Sequence, residues 1–543
     1  MTAGQGGAFI AGEFTLYTDP LLNRTQWWVN PFEIFARVLP RRFPVPDTTT
    51  ASGRRIYFSQ VDGDGWNDTV DIERFQDPPV TAGELLLSTL VQPYPNLPVT
   101  VGLIGSDLDP VLGGGEEAAD IARRMYSLPQ VEAASHTMTA PLRWEFYENY
   151  SREAEEALMA GGSQAKNPVK ALWDKLGLGS AGADNDAMRS QYLSGSRDLP
   201  RAYLRDPFSL EGEVQGSIAA IETLLPEGKA PSLYQWTGDA RVFADALKAT
   251  KAAGLRNING GGARFDELYP SVGYVTPIAR TADGERQVYA VMASETLFTN
   301  NWSGNFGGLG ELRGTIEKTE HPRRLAGINV YYHAYSAKKQ IAIDAIRGLL
   351  DWARRAEIAP IKASNYAAIA DGFFSTEIDE IAPMSWRISD RDGLQTVRFD
   401  DMPDFDVDLI RSVGIVGSTR QNGSLYVALD RAAASAIVTL RPANASEPAA
   451  TDQAASLESG RWLVSRLERR DCGLTFDASG YGSSQLTWRG LKPGLYVATA
   501  TRDAEPVWRA RLDVGADGTL GIDIPGNAID PVRISVECEG SAS

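Results

Sequence analysis

Soft metal ligands are scarce in this chain: of 543 residues, two are cysteine and three are histidine. Two cysteines exclude a zinc ribbon and a disulfide-stapled mini-protein, since no third or fourth soft ligand accompanies them. Long apolar runs are missing as well. No stretch approaches the roughly 18 consecutive apolar residues that a membrane-spanning helix needs. A dense Lys/Arg stripe is also absent, and the formal charge is −17 with a sequence pI near 4.8, which excludes a general nucleic-acid binder. The opening MTAGQGGAFIAGEF lacks the basic and long apolar regions of a signal peptide. The expectation is a cytoplasmic protein, or one whose export signal lies on a portion outside this chain. What is present is ordinary globular composition, with 43% apolar and 23% charged residues over a length that predicts two or three domains.

One stretch organises the rest: Arg54 to Trp66, RRIYFSQVDGDGW. Ile56, Tyr57, Phe58 and Val61 have the composition of a buried strand. Asp62 and Asp64 follow at its end, held among Gly63 and Gly65. Two carboxylates this close favour a cation between them or a proton on one of them. A metal with a general base is one reading. A calcium loop is the other, although Trp66 and Asn67 stand where an EF-hand wants an oxygen ligand and a glycine.

Further along, VTVGLIG (Thr100 to Gly105) and Gln130 to Ser135 read as strands, with a helix between them that places Ala118, Ile121, Ala122 and Met125 on one face. Alternation resumes at SLYQWTGD. It continues through a helix with Phe243, Ala246 and Leu247 on one face, then the strands LRNIN, RQVYAVMAS and GINVYYHAYS. A helix from Lys338 to Ala356 and the strand IAPIKAS complete the set. This predicts an α/β fold, either a (β/α) barrel or a doubly wound sheet. Residues 1–50 read as an N-terminal arm, 51–385 as the α/β domain, and 386–543 as an all-β sandwich of short alternating segments. Ala160 to Leu199 reads as an insertion, and Pro442 to Thr451 as a surface loop. Cys472 and Cys538 fall in two strand-like runs of the β domain; a disulfide and a pair of buried thiols both remain open.

With three histidines the search for chemistry is short. His136, in ASHTMTAP, follows a predicted strand. His333, in INVYYHAYS, ends another. His321, beside a proline and two arginines, reads as an exposed loop residue. Trp66, Trp144, Trp236, Trp302 and Tyr335 lie near these segments, where ring faces suit stacking on sugars.

The ordered set RRIYFSQVDGDG, SHTMTAP, INGGGARFD and YYHAYSAKK resembles the NodB-type polysaccharide deacetylases of the carbohydrate esterase superfamily. It is most similar to the deacetylase portion of the PelA-type proteins, which modify the Pel exopolysaccharide of biofilms. The likeness runs over most of the chain, from VNPF through WTGD to the β domain. It implies a (β/α)7-type deacetylase barrel followed by a C-terminal all-β sandwich, possessing a possible carbohydrate-binding role. The activity implied is removal of N-acetyl groups from an N-acetylhexosamine exopolysaccharide with a divalent metal, zinc. The alternative is a non-catalytic carbohydrate-binding or polysaccharide-assembly protein with a degenerate metal site. By resemblance Asp62 is the general base, Asp64 and His136 are metal ligands, and His333 is the general acid. Asp239 and Arg264 would support them, or form a structural ion pair. The family's second ligating histidine would stand at Ala140, which leaves water or a carboxylate such as Glu145 to complete the shell. The resemblance further implies a polysaccharide substrate, assembly proteins as partners, and a periplasmic or extracellular location.

Overall fold

The computed structural model describes residues 2–4, 7–9, 15–20, 24–38, 42–112, 114–161, 200–203, 207–298, 306–443 and 454–539. Most of the expected Ala160–Leu199 insertion, most of the Pro442–Thr451 loop, and Trp302 lie outside these residues.

The α/β domain is built on parallel strands β1 (Arg54–Asp62), β2 (Val99–Leu103), β3 (Val131–Ser135), β4 (Leu233–Gln235), β5 (Arg256–Ile258), β6 (Ile328–His333) and β7 (Ile358–Pro360). Their order is β5-β4-β3-β2-β1-β6, with β7 also paired to β1. All nine residues of β1 are buried, as its apolar and aromatic run predicts. Among the helices that cover this sheet are α1 (Glu116–Ser127), α2 (Ala244–Ala252), α3 (Gln340–Arg355) and α4 (Ala363–Ser375). Ala118, Ile121, Ala122 and Met125 of α1 are buried, so that expected face meets the core; of the expected α3 face Ala342, Ala345, Ile346, Leu349 and Ala353, all but the half-buried Ala345 are buried.

The expected (β/α)7-type barrel is corrected by this topology, because the sheet is open. β5 and β6 are its two ends and do not pair with each other. The segment expected as the next barrel strand, RQVYAVMAS, folds back instead. Glu285–Val288 pairs antiparallel with Ala279–Ala282 across Asp283 and Gly284, both with positive φ, at +46° and +86°. An Asp-Gly turn of this kind favours a two-residue hairpin over a long parallel crossover. Side-chain amides bridge the gap that the strands leave. Gln60 Nε2 donates to Asn259 Oδ1 at 2.5 Å, and Asn329 Nδ2 donates to Gln60 Oε1 at 3.2 Å.

Past α4 the chain is all β, from Glu377 onward. A seven-stranded sheet runs through this region and takes in Val45–Pro46 from the expected N-terminal arm, which pairs with Thr396–Phe399. Two apolar cores form here. One gathers Trp386, Phe399, Val427 and Val438; the other gathers Leu457, Phe476, Trp488 and Ile534.

Cys472 and Cys538 are joined by a disulfide, with Cα atoms 5.7 Å apart and a separation of 66 positions in sequence. The two flank paired strands, where Gly473 lies opposite Glu537. Closing a loop of this length constrains the unfolded chain by about 4 kcal/mol. Reduction is therefore expected to lower the urea-unfolding free energy by about that amount; an unchanged midpoint would show that the bridge adds no stability.

Among the described residues, no helix is long and apolar enough to cross a membrane.

Candidate active site

Parallel strands bring their carboxyl ends to one edge, and the expected site residues meet there. Asp62 is the last residue of β1, His136 follows β3, and His333 ends β6. The register places His333 directly beside Asp62. The loop after β1 turns at Gly65, whose φ of +78° suits glycine, and an added Cβ there would stand 2.7 Å from the Tyr335 Cβ. The Tyr335 N–H donates to the Asp64 carbonyl at 2.9 Å, which ties this loop to the end of β6.

Asp62, Asp64 and His136 each offer a ligand atom, all within 4.8 Å of one another. His136 Nε2 lies 2.9 Å from Asp64 Oδ2 and 3.6 Å from Asp62 Oδ2. Its Nδ1 faces the Gln235 carbonyl at 3.0 Å, a contact that only an N–H can make, so Nε2 is the atom aimed at the carboxylates. Asp62 is 1% exposed. Its Oδ2 accepts from Asn259 Nδ2 at 2.9 Å and from the Tyr331 hydroxyl at 2.6 Å. Its Oδ1 is buried and has no hydrogen-bond partner. His333 Nε2 reaches Asp62 Oδ2 at 3.8 Å, while its Nδ1 donates to Glu295 Oε1 at 2.8 Å. Glu295 is fixed in turn by the His333 backbone N–H at 3.2 Å and the Ser336 hydroxyl at 3.1 Å.

The electrostatics follow from this crowding. Burial raises the Asp62 pKa, and the two imidazoles and Tyr331 only partly offset it. Burial opposes charge on Asp64, but the His136 hydrogen bond and the charges of His136 and His333 together outweigh it and hold Asp64 well below the usual carboxylate range. Burial disfavours the His136 imidazolium, yet Asp62 and Asp64 together raise its pKa. At His333 burial again works against the charge, and Glu295 overrides it, lifting the pKa from 6.5 to about 9.

The other expected residues stand elsewhere. Ala140 is fully buried at φ +51°, supplies no ligand atom from its side chain, and accepts the Ala202 N–H on its carbonyl. Glu145 does not complete the cluster; it pairs with Arg241 at 3.4 Å. Asp239 accepts the backbone N–H groups of Trp144 and Arg241, which makes it a turn-forming residue. Arg264 pairs with Asp266 at 2.6 Å and donates to the Leu297 carbonyl. Trp66, Trp144 and Trp236 are at most 1% exposed and belong to the core, so they offer no platform to a sugar. Tyr335 does border the site, its ring stacked on His333 with centroids 4.9 Å apart and planes 13° apart.

Four contributors went unseen in the sequence: Glu295, Tyr331, Asn259 and Asp107. Tyr331 had a signal, since it lies two residues before His333 on the same strand face. Asp107, on the turn after β2, is 4% exposed and hydrogen-bonded to the Tyr203 hydroxyl. Burial pushes its carboxyl up to about 7 against that hydrogen bond, and Asp64 adds to the rise.

No family model and no curated protein matches the chain. Among solved structures it is similar to a 4-alpha-glucanotransferase from Thermococcus litoralis, at 7% identity and TM-score 0.29, covering 89% of this chain and 99% of that one. It is also similar to a GH30 endoxylanase from Clostridium papyrosolvens, at 9% identity and TM-score 0.17, covering 90% and 98%. A GH39 enzyme from Xanthomonas axonopodis pv. citri follows at 11% identity and TM-score 0.21, covering 92% and 98%. Likenesses this weak assign no activity. The open sheet, with Ala140 where the second ligating histidine would stand, corrects the expected N-acetylhexosamine deacetylase, which is not retained.

Proposed function

We propose that the cleft at the carboxyl ends of β1, β3 and β6 is a hydrolytic centre acting on a carbohydrate. The observation that carries this reading is the convergence of Asp62, Asp64, His136 and His333, drawn from three distant parts of the sequence. The donor set suits a divalent cation: two carboxylates, an imidazole with Nε2 aimed at them, and the unpartnered Asp62 Oδ1. Asp62, Asp64 and His136 would hold it. Such a cation, when bound, lowers the pKa of water and polarises the bond to be cut. With a pKa of about 9, His333 carries a proton at neutral pH, which it can donate to a leaving group. Glu295 holds its ring in place and Tyr331 orients Asp62.

The carbohydrate assignment rests on the motif resemblance and on the partly exposed polar and ring groups that line the cleft, Asp64, Tyr331 and Tyr335. Kinship with the PelA-type proteins is proposed on the same motif order, without their activity. An oxidising compartment is proposed on the disulfide.

The test uses a panel of chromogenic aryl glycosides and aryl esters, assayed before and after chelation. Hydrolysis that is lost on chelation and restored by zinc, cobalt or nickel supports the proposal. Turnover that survives complete chelation removes the cation from it, and a cation-loaded protein inert on the whole panel removes the hydrolytic reading.

A further inference from the structure

The open side of the sheet is filled by amide side chains where a core ordinarily takes apolar ones: Gln60, Asn259, Gln287 and Asn329 are each at most 1% exposed. Three of them form a hydrogen-bonded chain that ends on Asp62, and backbone carbonyls set its direction. Asn329 Nδ2 donates to the Ala290 carbonyl at 2.7 Å, a contact that only an NH2 group can make, and the same group donates to Gln60 Oε1 at 3.2 Å. Gln60 must then present its Nε2 to Asn259 Oδ1, at 2.5 Å. Asn259 Nδ2, anchored on the Trp236 carbonyl at 2.9 Å, is thereby the group that faces Asp62 Oδ2, also at 2.9 Å. A flipped Asn259 amide would set an oxygen against the carboxylate and leave buried donors unpaired.

The backbone of Asn259 is held as firmly as its side chain. Its φ is +105°, in the left-handed region that favours glycine. Such a conformation persists where its surroundings over-determine it, and it clusters at functional sites. Here Gln287 does the holding. It lies on Glu285–Val288, the hairpin strand that replaces the expected barrel strand. Its Nε2 donates to the Asn259 carbonyl at 2.8 Å and to the Ala240 carbonyl at 2.7 Å, while its Oε1 accepts from Arg280 Nε at 2.7 Å.

We propose that Gln60 and Gln287 are positioning residues of the cleft, acting through Asn259 to fix the Asp62 carboxylate, a role that rests on the reading of Asp62 as a cation ligand. Gln60 sets which way the Asn259 amide points, and Gln287 sets the backbone that carries it. Partners of this kind, one step behind a ligand, govern how well it holds a metal. The hairpin that keeps the barrel open thus has a task, since it brings Gln287 to the site.

Zinc affinity of the full chain is measured calorimetrically for wild type, Gln60→Leu, Gln287→Leu and Asn259→Gly, and for each glutamine change combined with Asn259→Gly. Glycine suits the positive φ, so Asn259→Gly removes the amide and keeps the turn. It is expected to weaken zinc at least tenfold, and each glutamine variant at least fivefold. In the Asn259→Gly background neither glutamine change should cost more than a further twofold, because residues that act through one partner are not additive. Circular dichroism checks each fold, and Gln60→Met and Gln287→Met, which keep the side-chain length, stand in for a leucine variant that does not fold. Folded glutamine variants that bind zinc like wild type would overturn the proposal. So would losses that persist in full beside Asn259→Gly, since the glutamines would then act on the fold and not through Asn259. A wild type that takes up no zinc would overturn the cleft reading itself and this role with it, which keeps the two failures distinct.

Discussion

Asp62→Asn is expected to reduce kcat by about a thousandfold while the protein stays folded, because it removes a carboxylate that would hold the cation, and a catalytic cation supplies several kcal/mol of transition-state stabilisation. Asp62 sits 3.6 Å from His136 Nε2 and 3.8 Å from His333 Nε2, and it is the one carboxylate within reach of both imidazoles. Asparagine keeps the shape and an oxygen for the Asn259 and Tyr331 donors, so the apolar core beneath β1 is undisturbed. What disappears is the charge between the two rings. The comparison is kcat for both proteins on the best substrate of the aryl panel, with matching thermal unfolding. A folded variant retaining more than a tenth of wild-type kcat would remove Asp62 from the chemistry.

Glu295→Gln is expected to move the alkaline limb of the pH–rate profile down from near pH 9 towards the ordinary histidine value of 6.5. Glutamine can still accept the His333 Nδ1 proton, so the ring keeps its orientation and loses only the neighbouring charge. At pH 8 a full shift to 6.5 should lower kcat about thirtyfold, because most of the imidazolium is then deprotonated, whereas at pH 6 the two proteins should nearly agree. The sign for stability runs the same way. A histidine whose folded pKa is raised contributes its full stabilisation below about pH 6.5 and loses it as pH climbs through about 9. The variant should therefore show less alkaline loss of stability than wild type between those limits. An unchanged alkaline limb would mean that His333 does not donate the proton.

Legibility in the sequence divides along physical lines. β1 and its loop were readable because a buried strand and its Gly-flanked acids are local features. His136 and His333 were readable because each ends a strand, and parallel strands fix where their ends go. Asp283-Gly284 announces a hairpin just as locally, but the apolar content of RQVYAVMAS was read as a barrel strand, and the barrel closed only on that reading. Glu295 was hidden because its role exists only through His333, 38 residues away in sequence. Arg264 and Asp239, the supporting residues that the resemblance implies, each meet local partners instead. The tryptophans show the same limit: among the described residues Trp66, Trp144 and Trp236 pack into the core, while Tyr331 and Tyr335 keep partly exposed rings at the cleft.

The central claim is that Asp62, Asp64 and His136 hold one divalent cation. Calorimetric titration of the chelated protein with zinc tests it most directly, alongside Asp64→Ala and His136→Ala. Wild type is expected to take up one cation per chain with release of protons, because the raised His136 pKa means that a proton must leave before Nε2 can coordinate. Each variant should lose at least tenfold in affinity. Stoichiometric binding undiminished in both variants, or no binding by wild type, would contradict the account.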